Sequence, residues 1–435
     1  MQRNKASYTI APADAGALKQ RMLDWSAQFD ILCFLDSNNY TSRNAEYECL
    51  LAVDAAHIVN ETDAGGKDLL AALQQQHDAN PDWLFGHIAY DLNNQLEPKL
   101  SSRHPVKIGF PMLSFFTPRT VCYINKPCTT LTIESFDDPA FVYKTITAQR
   151  GTIQTPLPQL QFARSIKKDT YLDTIDGLRK HIANGDCYEI NFCTEGYCEL
   201  VDIEPLRAFK ALNNLSPAPF AAYYRLHDQY MMCASPERYL RKDGDALLSQ
   251  PIKGTARRGS DHVQDDLIKQ RLQNDIKERA ENVMIVDLVR NDLARCCEVG
   301  SINVEELFGI YTFPQVHQMI STVTGTKRND VPFTDAIRYS FPMGSMTGAP
   351  KYKVMQLIER YEHSRRELFS GTIGYITPSG DFDFNVIIRS LFYNASSRYL
   401  CYQTGGAITY DSNAEQEWEE MLLKAWALER VFGGI

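Results

Sequence analysis

Apolar and polar positions alternate along this chain in short runs, and the period of the alternation changes several times. Within residues 1–115, DILCFLDS, YECLLAVDAA and DWLFGHIAYDL are strand-like, and a polar helix is expected near 65–78. Their order suggests antiparallel β structure with helices on one side. The pattern is weakest over 135–165, where TIQTPLPQLQFARS carries two prolines and reads as an exposed connector. A boundary near 160 follows, dividing the chain into regions 1–160 and 161–435.

Beyond it the alternation is more regular. Residues 170–184 form an amphipathic helix closed by Asn184-Gly185. CYEINFCTEGYCEL is a strand, AAYYRLHDQYMMCAS a hairpin, and RYLRKDGDALLSQPIKGT a second hairpin turning at Lys242-Asp243-Gly244. An unbroken helix is expected over 265–296. SGTIGYITPSGDFDFNVIIRSLFYNASSRYLCYQTGGAITY reads as three strands. A helix over 414–432 closes the chain, opened by Ser412 with Glu415 as its capping-box partner.

Composition narrows the class. The 435 residues are 44% hydrophobic and 23% charged, as in ordinary soluble proteins, and the net charge of −9 is spread along the chain. That distribution argues against nucleic acid as a partner, although a pocket inside an acidic protein can still attract an anion. No apolar run approaches the roughly 20 residues that span a bilayer, and MQRNKASYTIAPADAG lacks the apolar core of a secretory signal. Eleven cysteines without CxxC spacing read as reduced, mostly buried thiols. The expectation is a cytoplasmic protein without membrane attachment.

Several residues carry candidate chemistry. Glu278 and Glu281 in KERAENVMIVDL, and Glu417 and Glu420 in EQEWEEMLLKAW, are i, i+3 pairs, each on one helix face. They read either as solvated charge or, given the apolar residues beside them, as oxygen ligands for a hard ion such as Mg²⁺. Gly405 and Gly406 follow a strand and form either a tight turn or an amide surface for an anion. Arg389, after Val-Ile-Ile in a strand, calls for a carboxylate partner, from a structural Asp or from a substrate. PMGSMTGAPK lacks the Gly-Lys-Ser/Thr ending of a phosphate loop but offers hydroxyls and amides. Glu237 in ASPERYL is a turn carboxylate or a general acid. Lys253 in SQPIKGTARRG is a surface charge or, near a cation site and an acid, an amine of lowered pKa able to act as a nucleophile.

Taken in order, GDCYEINFC, SPAPF, SPERYL, PIKGTARRG, ERAENVMIVDLVRNDLAR, VHQMISTVTG, FPMGSMTGAPK, SGTIGYI, IIRS, GGAI and EWEEMLLKAW resemble one family, the chorismate-utilising enzymes. The resemblance covers roughly 165–432, and FLDS and FGHIAYDL are similar to the variable N-terminal region of the amine-forming members. It implies an α/β fold of the α+β type: a large two-sheet β-sandwich surrounded by helices, with the active site between the sheets. Lys253 in PIKGT resembles the members that aminate C4, whereas those that make anthranilate carry alanine there. Hydroxylating members place a catalytic lysine at the position of Glu189. Most amine-forming members have glutamine at that position, so Glu189 departs from both. Phe369 stands where many members have tyrosine.

The resemblance implies a set of roles. Glu281 and Glu420 would hold Mg²⁺, with Glu278 and Glu417 acting through water, and the ion would bind the ring carboxylate of chorismate. Lys424 and the amides of Gly405 and Gly406 would assist, and Arg389 would bind the enolpyruvyl carboxylate. Lys253 would add at ring C2 as Glu237 protonates the departing C4 hydroxyl, after which ammonia would add at C4 and expel the lysine. His317 and Thr347 would line the pocket, and Thr255 would position Lys253. No stretch is recognised as the nucleophile elbow of a glutamine amidotransferase, so ammonia is expected from a separate glutaminase subunit or from solution. Ser37, Pro219 and Phe220 match segments that bind tryptophan in some relatives; here they either do the same or simply pack in the core. The rival readings are amination at C2 and a silent scaffold for the glutaminase.

Overall fold

A computed structural model describes residues 3–40, 45–61, 68–151, 156–313 and 316–433. Strand alternation sorts the side chains into two cores. Ile31 and Cys33 enter one core, and Leu32 and Phe34 the other. Leu50 and Ala52 part in the same way from Cys49, Leu51 and Val53, as do Met231 and Cys233 from Met232 and Ala234. Strands buried on both faces read as nearly continuous apolar runs, which is why DILCFL shows so little polar alternation.

Among the described residues, 20 strands form one antiparallel hydrogen-bonded network. Its spine is the pairing of Tyr47–Asn60 with Leu113–Asn125, which runs from Tyr47 opposite Asn125 to Asn60 opposite Ser114 with two register shifts. One arm passes through Ile31–Asp36, Phe220–Leu226, Gln229–Ser235, Ser390–Asn394 and Tyr399–Ile408 to Glu189–Cys198. The other passes through Leu84–Ile88, Thr372–Ile376, Phe382–Asn385, Arg238–Asp243 and Ala246–Gln250 to Val316–Thr326. Both arms contribute to one core, Tyr224, Met231 and Phe392 from the first and Phe85, Leu247 and Phe384 from the second. The two expected sheets are therefore continuous through the two long strands. Strands from either side of residue 160 pair directly, as in Ile31–Asp36 with Phe220–Leu226.

Helices Ala15–Ser26, Pro139–Thr147, Pro205–Leu215 and the end of Ala414–Arg430 cover the outer face of the first arm. Lys168–Ala183, Lys351–Tyr361 and the start of Ala414–Arg430 enclose a third, smaller cluster around Ile190, Phe192 and Ile408.

Several expected elements differ. The polar helix is Leu69–Ala79, and residues 62–67 lie outside the described residues. The weakly patterned stretch begins with the helix Pro139–Thr147, capped by Asp138; in the supposed connector residues 152–155 lie outside the described residues, and Leu157, Leu160 and Phe162 pack against the second core. The long helix is two, His262–Asn274 and Ile276–Ala294, because Asp275 leaves helical geometry and caps the second by accepting from Glu278 N. The final helix is capped by Asn413 rather than Ser412. Four strands, not three, follow residue 371, since Arg389 adopts φ 53° and interrupts the run.

Candidate active site

Lys253 lies in strand Ile252–Arg257, where the pairing with Val316–Thr326 shifts register between Ile252 and Thr255. Gly254 takes φ +91° there, and a Cβ on it would lie 3.1 Å from Glu278 Oε2. The irregular backbone leaves Lys253 only 8% exposed, with Nζ donating to Glu189 Oε1. Glu189 opens the strand Glu189–Cys198 and is fully buried; its Oε2 has no hydrogen-bond partner among the described residues. Burial opposes the Lys253 charge, but Glu189, Glu281 and Glu237 outweigh it and hold the pKa above the ordinary lysine value. The lowered pKa expected from the sequence is thus reversed, by carboxylates that come from distant parts of the chain.

The loop before Lys351 is pinned to the Glu189 strand. Asn191 N donates to Thr347 O at 2.7 Å, and Asn191 Nδ2 to Ser345 O at 2.8 Å. This brings Ser345 Oγ within 2.7 Å of Glu237 Oε1, to which it donates. Glu237 sits between strands Gln229–Ser235 and Arg238–Asp243, and with Ser345 it lines a recess of about 380 Å³. Burial pushes its pKa up to about 7, against the pull of Ser345 and of the Lys253 charge. A carboxyl group so placed is available as an acid near neutral pH.

The two Glu pairs face each other across Lys277, whose Nζ lies 3.8 Å from both Glu281 Oε1 and Glu417 Oε1. Burial raises Glu281 to about 7 and also raises Glu278 and Glu417. Glu420 is held low instead, chiefly by Lys424 at 2.7 Å. Among the described residues no three acidic, histidine or cysteine groups already close on one point as metal ligands would. The donor set nevertheless suits a hard divalent ion. All four groups are carboxylates, Glu281 Oε1 is buried without a hydrogen-bond partner, and the missing Cβ of Gly406 leaves space 3.3 Å from Glu417 Oε2.

Arg389 is half-buried and its guanidinium makes no hydrogen bond or ion pair with the described residues, so of the two partners considered no structural Asp is found among them. Its pKa is lowered by burial, with only Glu420 opposing. Gly405 and Gly406 are not a turn: they lie inside strand Tyr399–Ile408, opposite Cys193 and Phe192, where a Cβ on Gly405 would strike Phe192 O. Lys424 Nζ donates to Gly405 O at 2.8 Å. His317 is fully buried with both ring nitrogens engaged, by Asp265 at 2.8 Å and Thr312 at 3.1 Å. Thr347 Oγ1 donates to Met343 O, and Thr255 is exposed. Phe369 is buried in the main core. Ser37, Pro219 and Phe220 line a separate recess of about 620 Å³ with Tyr47, Tyr375 and Arg238. Sequence reasoning missed Ser345 and Lys277, although Ser345 lies within the hydroxyl-rich loop and Lys277 adjoins the first Glu pair.

The sequence profile of the chorismate binding enzymes matches residues 33–430, and the chain belongs to that family. It is 33% identical over 359 residues to aminodeoxychorismate synthase component 1 of Salmonella typhimurium, covering 81% of this chain and 78% of that one. It is 42% identical over 266 residues to the aminodeoxychorismate synthase of Streptomyces griseus, spanning 61% of this chain but only 36% of that longer protein. The fold matches that of anthranilate synthase component I from Streptococcus pneumoniae, with a TM-score of 0.77 at 24% identity, covering 90% of this chain and 94% of that one. The chain is a chorismate-utilising enzyme with the fold of anthranilate synthase component I. Among the described residues no helix is long and apolar enough to cross a membrane.

Proposed function

We propose that the chain converts chorismate and ammonia to 4-amino-4-deoxychorismate, with Lys253 as nucleophile and Glu237 as general acid. The observation that carries this reading is a buried lysine electrostatically coupled to a buried acid whose pKa is pushed up to about 7. Lys253 Nζ, once neutral, adds at ring C2; the two ring double bonds shift and the C4–O bond breaks. Glu237 supplies the proton with which the hydroxyl leaves as water. Ammonia adds at C4, the double bonds shift back, and the C2–N bond to Lys253 breaks. The proton shed by the new C4 ammonium returns to Glu237, so chorismate and ammonia become product and water.

Arg389, without a hydrogen-bond or ion-pair partner among the described residues, would receive the enolpyruvyl carboxylate as a charge-assisted pair. Glu278, Glu281, Glu417 and Glu420 would hold Mg²⁺, which when bound neutralises the substrate's ring carboxylate. Lys424, Gly405 and Gly406 would assist that set, and Thr255, His317 and Thr347 would contribute to the walls of the pocket. A separate glutaminase subunit supplies the ammonia in the cytoplasm. For the recess at Ser37, Pro219 and Phe220, the aromatic lining from Tyr47 and Tyr375 supports tryptophan as its ligand, which equilibrium dialysis with labelled tryptophan tests.

The deciding experiment incubates the protein with chorismate, Mg²⁺ and ammonium, and separates the products by chromatography with mass detection. Aminodeoxychorismate from the native chain, and at least a thousandfold less from Lys253→Ala, is the expected outcome (about 4 kcal/mol of barrier). Anthranilate in its place, or an active Lys253→Ala, overturns the reading.

A further inference from the structure

We propose that Glu189 is the proton acceptor for Lys253, taking the Nζ proton before the lysine attacks and returning it once the lysine has been expelled. The inference rests on Lys253 being the nucleophile. An ammonium group has no lone pair, so the buried Lys253 must shed a proton before it can form a bond to carbon. With Lys253 8% exposed and Glu189 fully buried, bulk water is poorly placed to take that proton.

Three carboxylates act on Lys253: Glu189, Glu281 and Glu237. Only Glu189 is hydrogen-bonded to Nζ, so the transfer along that bond moves no heavy atom. Glu237 is engaged by Ser345 and has to deliver a proton to the leaving hydroxyl. Glu281 belongs to the acidic set around Lys277. The second oxygen of Glu189 sharpens the assignment. Oε2 is buried and has no hydrogen-bond partner among the described residues, an expensive state for a charged oxygen and a cheaper one for the carbonyl oxygen of a neutral acid. Moving one proton from Nζ to Oε1 removes both charges of a desolvated ion pair at once.

The proton balance closes. Before attack, the ammonium and the carboxylate become an amine and a carboxylic acid. The amine then forms the C2–N bond, and the adduct nitrogen keeps its two hydrogens and a positive charge. When that bond breaks, Lys253 leaves as a neutral amine and recovers its proton from Glu189. The general acid at Glu237 runs a separate proton cycle.

The test measures kcat and KM for chorismate with ammonium across pH 6–9 in the native chain, Glu189→Gln, Glu189→Asp and Lys253→Ala. Glu189→Gln is expected to lose about a hundredfold or more in kcat, with KM changed less than about threefold. Measured as a fraction of the native rate at the same pH, its residual rate should rise with pH, because solvent must now take the proton. Glu189→Asp should retain more activity than Glu189→Gln. A purely positional role predicts the opposite order, since glutamine keeps the length and can accept the same hydrogen bond. Should Glu189→Gln fail to fold, Glu189→Ala assayed with added formate gives a second readout: rescue by formate and not by formamide is expected. Glu189→Gln at the native rate, or equal rescue by both additives, overturns the assignment if Lys253→Ala is inactive. An active Lys253→Ala instead removes the nucleophile reading and this one with it.

Discussion

Two of the clusters of buried charge in this molecule are built on opposite terms. Near the N-terminus, Lys19 donates at 2.7 Å to both Asp36 and Glu48, while Lys126 at 2.8 Å and Ser37 at 2.6 Å donate to the other oxygen of Glu48. The amides of Asn38 and Asn39 add bonds to Asp36 and Glu48 at 2.9 and 2.8 Å. Around Lys253 the account stays open. Among the described residues Glu189 Oε2 and Glu281 Oε1 lack hydrogen-bond partners, Arg389 makes no hydrogen bond or ion pair, and Lys277 stands off at 3.8 Å from two acids. A closed network fixes one conformation; an open one keeps free the groups that a charged ligand can use. Burial alone does not separate structure from chemistry, whereas satisfaction does.

The largest effect that sharpens this contrast is expected at Glu237. Glu237→Gln should lose about 10²–10⁴-fold in kcat with little change in melting temperature, because a neutral amide replaces a group near half protonation. With a pKa of about 7, Glu237 is mainly an acid below neutrality and a carboxylate above it. The native kcat should therefore fall as pH rises beyond about 7, and the variant should lack that limb. A limb that survives in Glu237→Gln belongs to another group.

Next comes stability. Lys19→Met takes the cation from buried Asp36 and one of two cations from Glu48, which keeps Lys126, and should cost about 3–5 kcal/mol in urea unfolding. Lys253→Met should cost less. Its neighbours Glu237 and Glu281, both raised to about 7, can take up protons to offset the missing charge. Equal losses from the two lysine variants would break the comparison between the clusters.

How much of this was legible in the sequence depends on the range of the signal. Short strand-like apolar runs located DILCFLD and YECLLAVD, and turn signals the hairpins, since each of these is written within a few neighbouring residues. The break at Asp275 was also local: Asp275 and Glu278 stand three apart, a capping signature overlooked within a charged run. Arg389 was read as strand because no sequence pattern announces a positive φ at a β-branched border. The Glu189–Lys253 pair was out of reach, as 64 residues separate partners on different arms of the strand network. With it went the direction of the Lys253 pKa, which depends on those long-range carboxylates rather than on burial alone. The motifs gave the family and the candidate residues; their charge states came from the fold.

The smallest effect is at Ser345. Its hydroxyl donates to Glu237 Oε1 at 2.7 Å and so favours the carboxylate over the acid. Removing the donor in Ser345→Ala raises the Glu237 pKa further. One hydrogen bond of this kind is worth about 0.5–1.5 kcal/mol, and one pKa unit corresponds to about 1.4 kcal/mol. The alkaline limb of kcat should therefore move upward by about one unit at most. At pH 8 the variant should keep a larger fraction of its own optimum than the native chain does, even if that optimum is lower. A limb displaced downward would mean that Ser345 stabilises the acid form. An unmoved limb would assign the titration to a group that Ser345 does not touch, and the acid in this site would have to be sought among the open carboxylates around Lys277.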